Sequence, residues 1–413
     1  MSSSGFDCDA LIIGGGLVGS VLATAFSRAK LRTVLIEARD PKELGQASFD
    51  DRSVALANGS QRILDGLGLW EALVSDAEPI RSIHISERGR FGVSRILATE
   101  EGVPALGYTL ENRVLTNAIW TDLSGEKYFT CIAPAQLKKI TWNADAVKAN
   151  VSLADGNQTI TGRLLVAADG ARSSVRKALS IDMMEEKYSQ NAVVLNIKTE
   201  VHHNGRAFER FATDGPLALL PLSRSRTAVV WTRPEEELGR SMSLDEIAFR
   251  DELQDAFGHR LGKLTRIGAR SSYPLARVRS KQRVGDRAVL VGNAAVSLHP
   301  VAGQAFNVAL RDVAVLTEII NEERASQGLQ ADIGGSKLLA RYDELRRNDQ
   351  RRVAAFTHAL IRLFSYRGSP VAITRALGLM AFDLMPGAKA QLARHTMGLA
   401  GRLPRLARGL RLA

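Results

Sequence analysis

The stretch Leu11-Ile-Ile-Gly-Gly-Gly-Leu-Val-Gly19 decides the fold that this chain adopts. An apolar run ends in Gly14-x-Gly16-x-x-Gly19, and apolar residues at helical spacing follow it. This order predicts a strand, a glycine turn and a helix. Gly14 permits the tight turn, Gly16 lets the backbone approach a pyrophosphate, and Gly19 lets helix and strand pack closely. The first N–H groups of the helix would then face the phosphates.

A second apolar strand, predicted over residues 33–36, ends in Glu37, which lies eighteen residues past Gly19. Near this spacing, dinucleotide-binding folds place a carboxylate that holds ribose hydroxyl groups. A glycine turn that merely packs well would explain the glycines but not Glu37. The sequence therefore predicts a dinucleotide site at this turn.

The composition bounds the class of protein. A chain of 413 residues with 45% hydrophobic residues is too long for one ordinary core, so we expect two or more lobes. Cys8 and Cys131 are its only cysteines, which argues against a disulfide scaffold and a cysteine-rich metal site, and favours a reducing cytosol. The first nine residues lack a signal-peptide pattern, and no apolar run of about eighteen residues predicts a membrane span.

The last twenty residues are strongly basic. The net charge is +11, and residues 394–413 hold five arginines, one histidine and no acid, with five leucines between them. Such a tail is able to lie on an anionic membrane surface, to contact nucleic acid, or to remain a solvated end. Because clustered aromatic residues are absent from it, nucleic acid is disfavoured. We expect no nucleic-acid partner and a cytoplasmic protein on the inner face of the membrane, with the solvated end as the alternative.

Two later strands end at polar or glycine-bearing turns, as the first one does. The strand predicted over residues 164–168 is followed by Asp169-Gly170, and the strand predicted over 288–291 leads into Gly292-Asn293. The carboxyl ends of parallel strands meet at one edge of a sheet, which is where α/β folds bind ligands. We therefore expect these turns to form one rim with residues 14–19.

The third of these segments continues as His299-Pro300-x-x-Gly303-Gln304-x-x-Asn307 and opens a predicted helix. Proline near a helix start, with glycine before the first turn, indicates a second helix N-terminus that faces an anion. The rim is thus predicted to extend over residues 292–307.

The regions between these strands give further predictions. Arg52 precedes a helix predicted over residues 54–66, and it would either touch a flavin ring or substrate, or pair with Asp50 or Asp51 at the surface. Alternating apolar residues over 128–163 predict a meander of short strands. Residues 183–286 predict an inserted antiparallel sheet with one helix at 244–257, which would form one wall of a pocket.

The rim motifs together resemble a known family. Gly14-x-Gly16-x-x-Gly19 with Glu37, Asp169-Gly170 with Arg172, and Gly292-Asn293 with His299-Pro300-x-x-Gly303-Gln304 are similar to the motifs of the flavoprotein aromatic hydroxylases of the p-hydroxybenzoate hydroxylase type. Within that family, residues 83–89, 205–211, 215–222 and 289–312 look most like the ubiquinone-biosynthesis hydroxylases that act on a 2-polyprenyl-6-methoxyphenol. The resemblance covers about residues 1–325.

The resemblance implies an α/β fold. It consists of a Rossmann-like FAD-binding domain of the glutathione-reductase type, an inserted antiparallel β-sheet substrate domain and a C-terminal helical region. The boundaries that we expect are 1–75, 107–182 and 276–330 for the FAD-binding domain, 76–106 and 183–275 for the substrate domain, and 331–413 for the C-terminal helices and basic tail.

The resemblance also implies one non-covalent FAD and a role for each motif. Gly14, Gly16 and Gly19 would cradle the pyrophosphate, and Glu37 would bind the adenosine ribose. Arg113 would contact the phosphate or ribityl region. Asp169 and Gly170 belong to the motif shared by FAD and the nicotinamide donor. The remaining cofactor residues implied are Gly303, Gln304 and Asn307 beside the flavin ring, Arg52 near the isoalloxazine, and Asn293 and Pro300 in the same motif.

Two positions depart from the family pattern. Asn293 stands where the family usually has an aspartate, so it is able to hydrogen-bond a ribose or ribityl hydroxyl but adds no charge. Ala305 and Ala309 stand where glycines are common. Because alanine resists positive φ, Ala305 must have an ordinary helical or extended backbone, or else the flavin-side loop is altered.

The implied reaction is hydroxylation of the aromatic ring of a polyprenylated phenol by O₂, through a flavin C4a-hydroperoxide. The sequence holds no second nucleotide-binding fold, so NAD(P)H or a protein donor would reduce the flavin transiently. Residues 217–222 are a candidate lining for the polyprenyl tail. Other proteins of ubiquinone biosynthesis are expected partners.

Arg52 and His299 are the candidate catalytic residues. His299 would serve as the general base that activates the phenol, although a structural histidine at a turn explains it as well. Tyr188 and Tyr273 are weaker candidates. The alternative functions are hydroxylation at another ring position in the same pathway, reduction of isoprenoid double bonds, and a membrane-surface scaffold that keeps FAD for stability.

Overall fold

The computed structural model describes residues 6–44, 52–212, 214–297, 303–365, 378 and 381–412. In chain order, the strands of these residues are β1 Cys8–Ile13, β2 Thr33–Ile36, β3 Ser53–Ala57, β4 Glu78–Ile80, β5 Ser82–Glu87, β6 Val93–Leu97, β7 Gly107–Glu111, β8 Phe129–Ile132, β9 Gln136–Trp142, β10 Val147–Leu153, β11 Gly156–Ala167, β12 Met183–Thr199, β13 Arg206–Phe211, β14 Leu217–Leu222, β15 Arg226–Pro234, β16 Leu264–Ile267, β17 Ser271–Ser280, β18 Val284–Gly285, β19 Ala288–Leu290 and β20 Val296–Ser297.

The helices of the same residues follow in chain order. They are α1 Leu17–Arg28, α2 Pro41–Leu44, α3 Asn58–Gly66, α4 Asn112–Leu123, α5 Ser174–Ala178, α6 Glu235–Ser243, α7 Glu246–Phe257, α8 Gln304–Gln327, α9 Ser336–Ser365 and α10 Pro386–Thr396.

A parallel sheet forms the first half of the molecule. Strand β1 lies between β2 and β11, β8 pairs with β2, β19 pairs with β11, and all four pairings are parallel. The side chains of β1 are almost completely buried, because core clusters cover both faces of the sheet. Since β1, β11 and β19 are neighbours that run in one direction, their carboxyl ends meet at one edge. The prediction of a common edge is confirmed.

The meander predicted over residues 128–163 is wrong in two respects. Strand β8 leaves it and joins the parallel sheet beside β2. The last strand of the meander, at 159–163, and the strand predicted over 164–168 are one continuous strand, β11. Its first half pairs antiparallel with β10, and its second half pairs parallel with β1. The change from alternating to continuous apolar residues marks a change of partner rather than the end of a strand.

An antiparallel sheet forms the second half, as predicted. Its described strands follow the order β20-β17-β12-β15-β14-β13-β5-β6, with β16 paired to β12. The hairpin β5–β6 comes from far earlier in the chain, and β5 runs parallel to β13. Helix α7 covers one face, where Trp231, Phe249 and Phe257 are buried. The chain forms two helices here instead of the single one predicted, since three glutamates open α6 favourably.

The helix predicted over residues 54–66 begins four residues later than expected. Residues Ser53–Ala57 instead form β3, which pairs antiparallel with β7. The two backbones lie very close, since a Cβ at Gly107 would be 2.3 Å from the carbonyl oxygen of Leu56. The glycine in β7 therefore favours strand pairing over the local helical tendency of this alanine-containing segment.

The basic tail packs onto the body of the protein. Leu406 is 1% exposed and belongs to the core cluster that contains α1 and α8, and Leu403 and Leu412 pack against that cluster. The arginines at 402, 405, 408 and 411 are exposed. The expectation that leucines of this tail lie on a membrane is therefore wrong for these three, because their side chains are used in folding.

Among the helices that the structure describes, none combines the length and the apolar composition that crossing a membrane requires. The domain boundaries remain a proposal, and strand β17 continues past the boundary placed at residue 275.

Candidate active site between the two sheets

A cavity of about 1130 Å³ lies between the parallel and the antiparallel sheet. Its walls come from the turn after β1, from β3, from the residues that follow β11 and β19, from the start of α8, and from β5, β13 and β14. The structure therefore brings the three predicted rim segments together, as far as their residues are described. It also joins the rim to one face of the antiparallel sheet.

Glycine shapes the turn after β1. Gly14 has a φ of +102°, and a Cβ there would lie 2.6 Å from the carbonyl oxygen of Ala168. A Cβ at Gly19 would lie 1.9 Å from the carbonyl oxygen of Gly14, so α1 approaches this closely only with glycine. A Cβ at Gly16 would have no atom within 4 Å, because Gly16 borders the cavity. The turn thus leaves open the space before α1 that a pyrophosphate needs.

Glu37 lies directly after β2, beside this turn, and is 9% exposed. Its Oε2 accepts a hydrogen bond of 2.6 Å from the N–H of Gly15, and its Oε1 accepts one of 3.0 Å from the N–H of Arg39. These bonds hold the carboxylate at the turn. Because a carboxylate has further lone pairs, it is still able to accept ribose hydroxyls, and that role stays a prediction.

The residues after β11 divide between two tasks. Ala168 and Gly170 line the cavity, whereas the Oδ2 of Asp169 accepts hydrogen bonds from the N–H groups of Ser174 (2.7 Å) and Val175 (3.2 Å). Asp169 therefore satisfies the first turn of α5. Its Oδ1 is buried and has no hydrogen-bond partner among the described residues, which leaves one acceptor at the rim.

The start of α8 forms the next part of the rim. Gly303 has a φ of +59°, and Ala305 is already helical, so the expected ordinary helical backbone at Ala305 is confirmed. The side chain of Asn307 is occupied on both sides. Its Oδ1 accepts from the N–H of Ala57 (2.8 Å), and its Nδ2 donates to the carbonyl oxygens of Ala55 (2.9 Å) and Gly303 (2.8 Å). Asn307 lines the cavity, but its amide ties α8 to β3.

Two further rim residues border the cavity. Asn293 lies in a 3₁₀ turn over Gly292–Ala294, and the left-handed φ of +57° at Gly292 begins that turn. Gln304 is 5% exposed, and its Nε2 donates to the carbonyl oxygen of Thr396 at 3.3 Å. This bond connects the rim to the C-terminal segment.

The two arginines predicted for the cofactor both line the cavity. Arg52 precedes β3, and its guanidinium carbon lies 5.1 Å from the centre of the Tyr273 ring. Asp50 and Asp51, the alternative partners of Arg52, lie outside the described residues. The Nη2 of Arg113 lies 3.1 Å from the Oε2 of Glu111, and the Arg113 side chain is 40% exposed, so a ligand is able to reach it.

Glu111 ends β7, which lies between β3 and β4 in a small sheet of three strands, and it links this sheet to the antiparallel sheet. Its Oε1 lies 2.8 Å from the Nη1 of Arg226, which begins β15. Burial opposes the charge of Glu111, but the charges of Arg226 and Arg113 outweigh it and hold the pKa of this carboxyl below its usual value. The carboxylate therefore stays charged and keeps both arginines in place.

These residues fit an FAD. The turn at Gly16 leaves room for a pyrophosphate, Glu37 is bonded to the N–H of Gly15 in that turn, and Arg113 lines the cavity. Asp169 offers a buried oxygen that has no partner among the described residues. The Oδ1 of Asn112, which also lines the cavity, is a second buried acceptor without a partner among the described residues. The cavity continues past these groups, so it has room for a second ligand.

The other part of the cavity, which we call the apolar half, is lined by the antiparallel sheet and the C-terminal segment. The residues of this lining include Ile83, Ile85, Ile96, Ala207, Glu209, Phe211, Ala218, Leu220, Val230, Phe382, Leu392, Thr396 and Met397. Ala218 and Leu220 come from the segment proposed to line a polyprenyl tail. An aromatic ring with apolar substituents matches this surface.

Glu209 is the functional candidate that the sequence did not reveal. It is a carboxyl among apolar neighbours, its Oε1 is buried without a hydrogen-bond partner among the described residues, and burial raises its pKa to about 7. Nothing in the run Arg206-Ala-Phe-Glu-Arg-Phe211 distinguishes it from a surface glutamate. The alternation of the strand was the one available signal.

Of the predicted bases, the structure describes Tyr188 and Tyr273. His299 and Pro300 lie outside the described residues, so their roles stay predictions. Tyr273 lies under Arg52, and the Tyr188 ring is 6.4 Å from His358, while neither tyrosine is part of the described lining. Burial raises the pKa of Tyr188, so its hydroxyl group stays protonated near neutral pH and has no free base form to accept a proton.

No group of three or more histidine, cysteine, aspartate or glutamate side chains suited to a metal ion occurs in the part of the chain that the structure describes.

Comparison with known proteins gives one family and a group of relatives. A family model described as an FAD binding domain matches residues 7–357. A ubiquinone hydroxylase, UbiL, of Rhodospirillum rubrum is 40% identical over 407 residues, covering 98% of this chain and 93% of the relative. The 3-demethoxyubiquinol 3-hydroxylase of Escherichia coli is 29% identical and covers 94% of this chain and 98% of its own length.

Among solved structures, the p-nitrophenol 4-monooxygenase PnpA of Pseudomonas putida superimposes with a TM-score of 0.79 at 18% identity. The match covers 95% of this chain and 98% of that chain, so the two proteins share one fold throughout.

Proposed function

The chain belongs to the FAD binding domain family and is an FAD-dependent monooxygenase, and from this premise we propose that it hydroxylates the ring of a polyprenylated phenol in ubiquinone biosynthesis. The observation that carries the proposal is the continuity of the cavity, from the glycine turn of β1 to the apolar face of the antiparallel sheet. The names of the relatives support the pathway. The substrate we propose is a 2-polyprenyl-6-methoxyphenol.

Bound FAD supplies the activation of O₂ and the transfer of one oxygen atom to the ring. The chain positions that cofactor: Gly16 and the N-terminus of α1 hold the pyrophosphate, and Glu37 holds the adenosine ribose. Gly303, Gln304 and Arg52 line the cavity and would contact the flavin of a bound FAD. NAD(P)H or a protein donor reduces the flavin transiently.

The apolar half of the cavity orients the ring and excludes water. Its isoleucines and phenylalanines leave few hydrogen-bonding groups for solvent, which protects a reactive oxygen donor from hydrolysis. This surface would hold the ring in one orientation, and such positioning accounts for a large part of the rate of enzymatic reactions.

The polyprenyl tail leaves the cavity beside an exposed apolar patch. We define this patch as Phe91, Leu384 and Met385, which are 68%, 80% and 57% exposed. The N–H of Arg95 donates to Asp383, which joins the segments that carry the patch. Neighbouring residues Ile96 and Phe382 line the apolar half. A tail that remains in a bilayer would thus reach the ring site through this side.

We therefore assign contact with the membrane to this patch and not to the leucines of the basic tail. Arg88 and Arg90 are exposed at the same turn as Phe91, so anionic lipid would favour the same orientation. Changing Phe91 and Leu384 to glutamate should abolish co-flotation with vesicles of phosphatidylglycerol. The matched control is Leu329→Glu, an equally exposed leucine elsewhere, at 74%. Equal flotation of both variants would contradict this membrane surface.

The decisive experiment supplies the FAD-loaded protein with NAD(P)H, isotopically labelled O₂ and 6-methoxy-2-prenylphenol, followed by mass spectrometry. Incorporation of one labelled oxygen atom into the ring supports the proposal. Addition of two hydrogens to the prenyl chain would instead show a reductase, and an unaltered phenol with a flavin that cycles would show a scaffold. The alternative ring positions are distinguished by the position of the new hydroxyl group.

A further inference from the structure

Glu209 occupies an interior strand of the antiparallel sheet. It lies on β13 between Ile85 of β5 and Ala218 of β14. Side chains alternate along this strand: the Nε of Arg210 donates to the carbonyl oxygen of Ala256 in α7, at 2.9 Å. Glu209 therefore points away from α7 and into the apolar half of the cavity, as its place in the lining also shows.

The described residues around this carboxyl leave its Oε1 without a hydrogen bond. Its strand neighbours on the cavity side are aliphatic, and its Oε1 accepts no hydrogen bond from any residue that the structure describes. A buried carboxyl without a partner destabilises the fold and is therefore a feature typical of binding or catalytic sites. Burial raises its pKa to about 7, so it exchanges a proton near neutral pH.

Other charged groups around the apolar half face elsewhere or lie at its ends. Arg39, Glu43, Arg52 and Arg113 line the cofactor end. His84 and Arg206 belong to the opposite face of the sheet, where they pack on Phe208. On the C-terminal side, Lys389 pairs with Glu100 and Asp383, and His395 packs on Phe356.

We propose that Glu209 is the proton acceptor for the hydroxyl group of the phenol substrate. An apolar surface with one unpaired carboxylate suits a neutral ring that carries one hydrogen-bond donor. This inference rests on the proposed function, because it requires a phenol in the apolar half.

The step is a proton transfer without oxidation. The O–H bond of the phenol breaks, an O–H bond forms on a carboxylate oxygen of Glu209, and the electron pair stays on the phenol oxygen. The ring becomes more electron-rich at the carbon that receives oxygen. After hydroxylation, Glu209 returns the proton to the product, so the carboxylate is restored for the next turnover.

The test measures binding to the FAD-loaded, oxidised protein through the change in flavin absorbance. The probes are 6-methoxy-2-prenylphenol and its methyl ether, which lacks the hydroxyl donor. The phenol should bind about tenfold more tightly at pH 8 than at pH 5.5, because the ionised carboxylate accepts a stronger hydrogen bond. The methyl ether should show no such change. Equal pH dependence for both probes would overturn the inference, and this comparison needs no variant.

Variants then assign the effect to this residue. Glu209→Gln keeps the shape but cannot take the proton, so the pH dependence of phenol binding should vanish and turnover should fall about 100-fold. Methyl ether binding should not change. Glu209→Asp should restore part of both effects. The matched control Glu185→Gln, an exposed glutamate on β12 of the same sheet, should behave as the unmodified protein.

The outcomes separate this inference from the proposed function. If neither probe binds, the substrate class is wrong. If both bind and the phenol is hydroxylated, but Glu209→Gln leaves the pH dependence intact, the substrate class stands and the role of Glu209 is wrong.

Discussion

The two halves of the cavity are built in different ways. We call the part of the cavity around the glycine turn and the start of α8 the cofactor half. There, polar groups are held by backbone neighbours: Glu37 binds two N–H groups, and the amide of Asn307 binds three backbone groups. In the apolar half, one carboxyl, Glu209, lies among aliphatic side chains without a bond to its Oε1 from the described residues. The comparison teaches that backbone geometry shapes the cofactor half, whereas side-chain identity shapes the apolar half.

Two alanine substitutions in the glycine turn test the first half of this comparison. Gly19→Ala should destabilise the fold by more than about 3 kcal/mol, because its Cβ would lie 1.9 Å from a backbone oxygen. Gly16→Ala should leave the stability of the FAD-free protein within about 0.5 kcal/mol, since its Cβ meets no atom within 4 Å. Its methyl group would fill the pyrophosphate space and weaken FAD binding at least tenfold, or about 1.4 kcal/mol.

Denaturant unfolding and FAD titration by fluorescence measure these effects. The matched pair separates packing from binding, because the two positions lie three residues apart in one motif. If Gly16→Ala unfolds the protein, or binds FAD as tightly as the unmodified chain, the turn is not a cofactor site of this kind.

The same difference explains what the sequence could predict. Fixed spacing in Gly14-x-Gly16-x-x-Gly19 and at Glu37 reports backbone geometry, so the parallel sheet and its rim follow from it. The start of α8 shows the limit, since the amide of Asn307 binds Ala55 and Ala57, which are about 250 residues away in sequence. Contacts of that separation leave no local pattern.

The apolar half was predictable as a sheet but not as a site. Alternation along β13 shows that one face is buried, yet it does not show which buried face borders a cavity. The place of Glu209 beside the cavity depends on β5, which precedes it by more than one hundred residues and pairs in parallel with β13. The start of the helix predicted over residues 54–66 was wrong for a similar reason, because pairing with β7 outweighs local helical tendency at residues 54–57.

A change at Glu209 tests the second half of the comparison through stability. The pKa of this carboxyl is about 7 in the folded protein and about 4 in the unfolded chain, so folding favours its protonated form. Below about pH 4 both states are protonated and there is no penalty, and stability then falls as pH rises to about 7. Glu209→Gln should therefore stabilise the substrate-free protein by about 2 to 3 kcal/mol at pH 8 and by little at pH 4.

Urea unfolding at the two pH values checks this prediction. A stabilisation that is equal at both would reflect packing instead of the carboxyl charge. A loss of stability at pH 8 would mean that Glu209 has a structural partner, and the contrast between the halves would then disappear.

The ion pair between Glu111 and Arg226 sharpens the comparison further. It connects Glu111, which also pairs with the cofactor residue Arg113, to β15 of the antiparallel sheet. Arg226→Gln should destabilise the protein by about 1 kcal/mol at pH 7, since Arg113 still pairs with Glu111 and Arg226 is 22% exposed. The pKa of Glu111 is lowered in the folded state, so this contribution exists above about pH 4 and is lost as pH falls further. The substitution should consequently have little effect on urea unfolding at pH 3.

The control is Arg240→Gln, which removes an arginine that is 58% exposed and paired with Glu252. Surface pairs of that kind contribute little, so no measurable change is expected at either pH. If Arg226→Gln also has no effect at pH 7, this ion pair does not help to hold β7 against the antiparallel sheet. Glu111 would then serve only to place Arg113 at the cofactor end, and its low pKa would matter for FAD binding instead of stability.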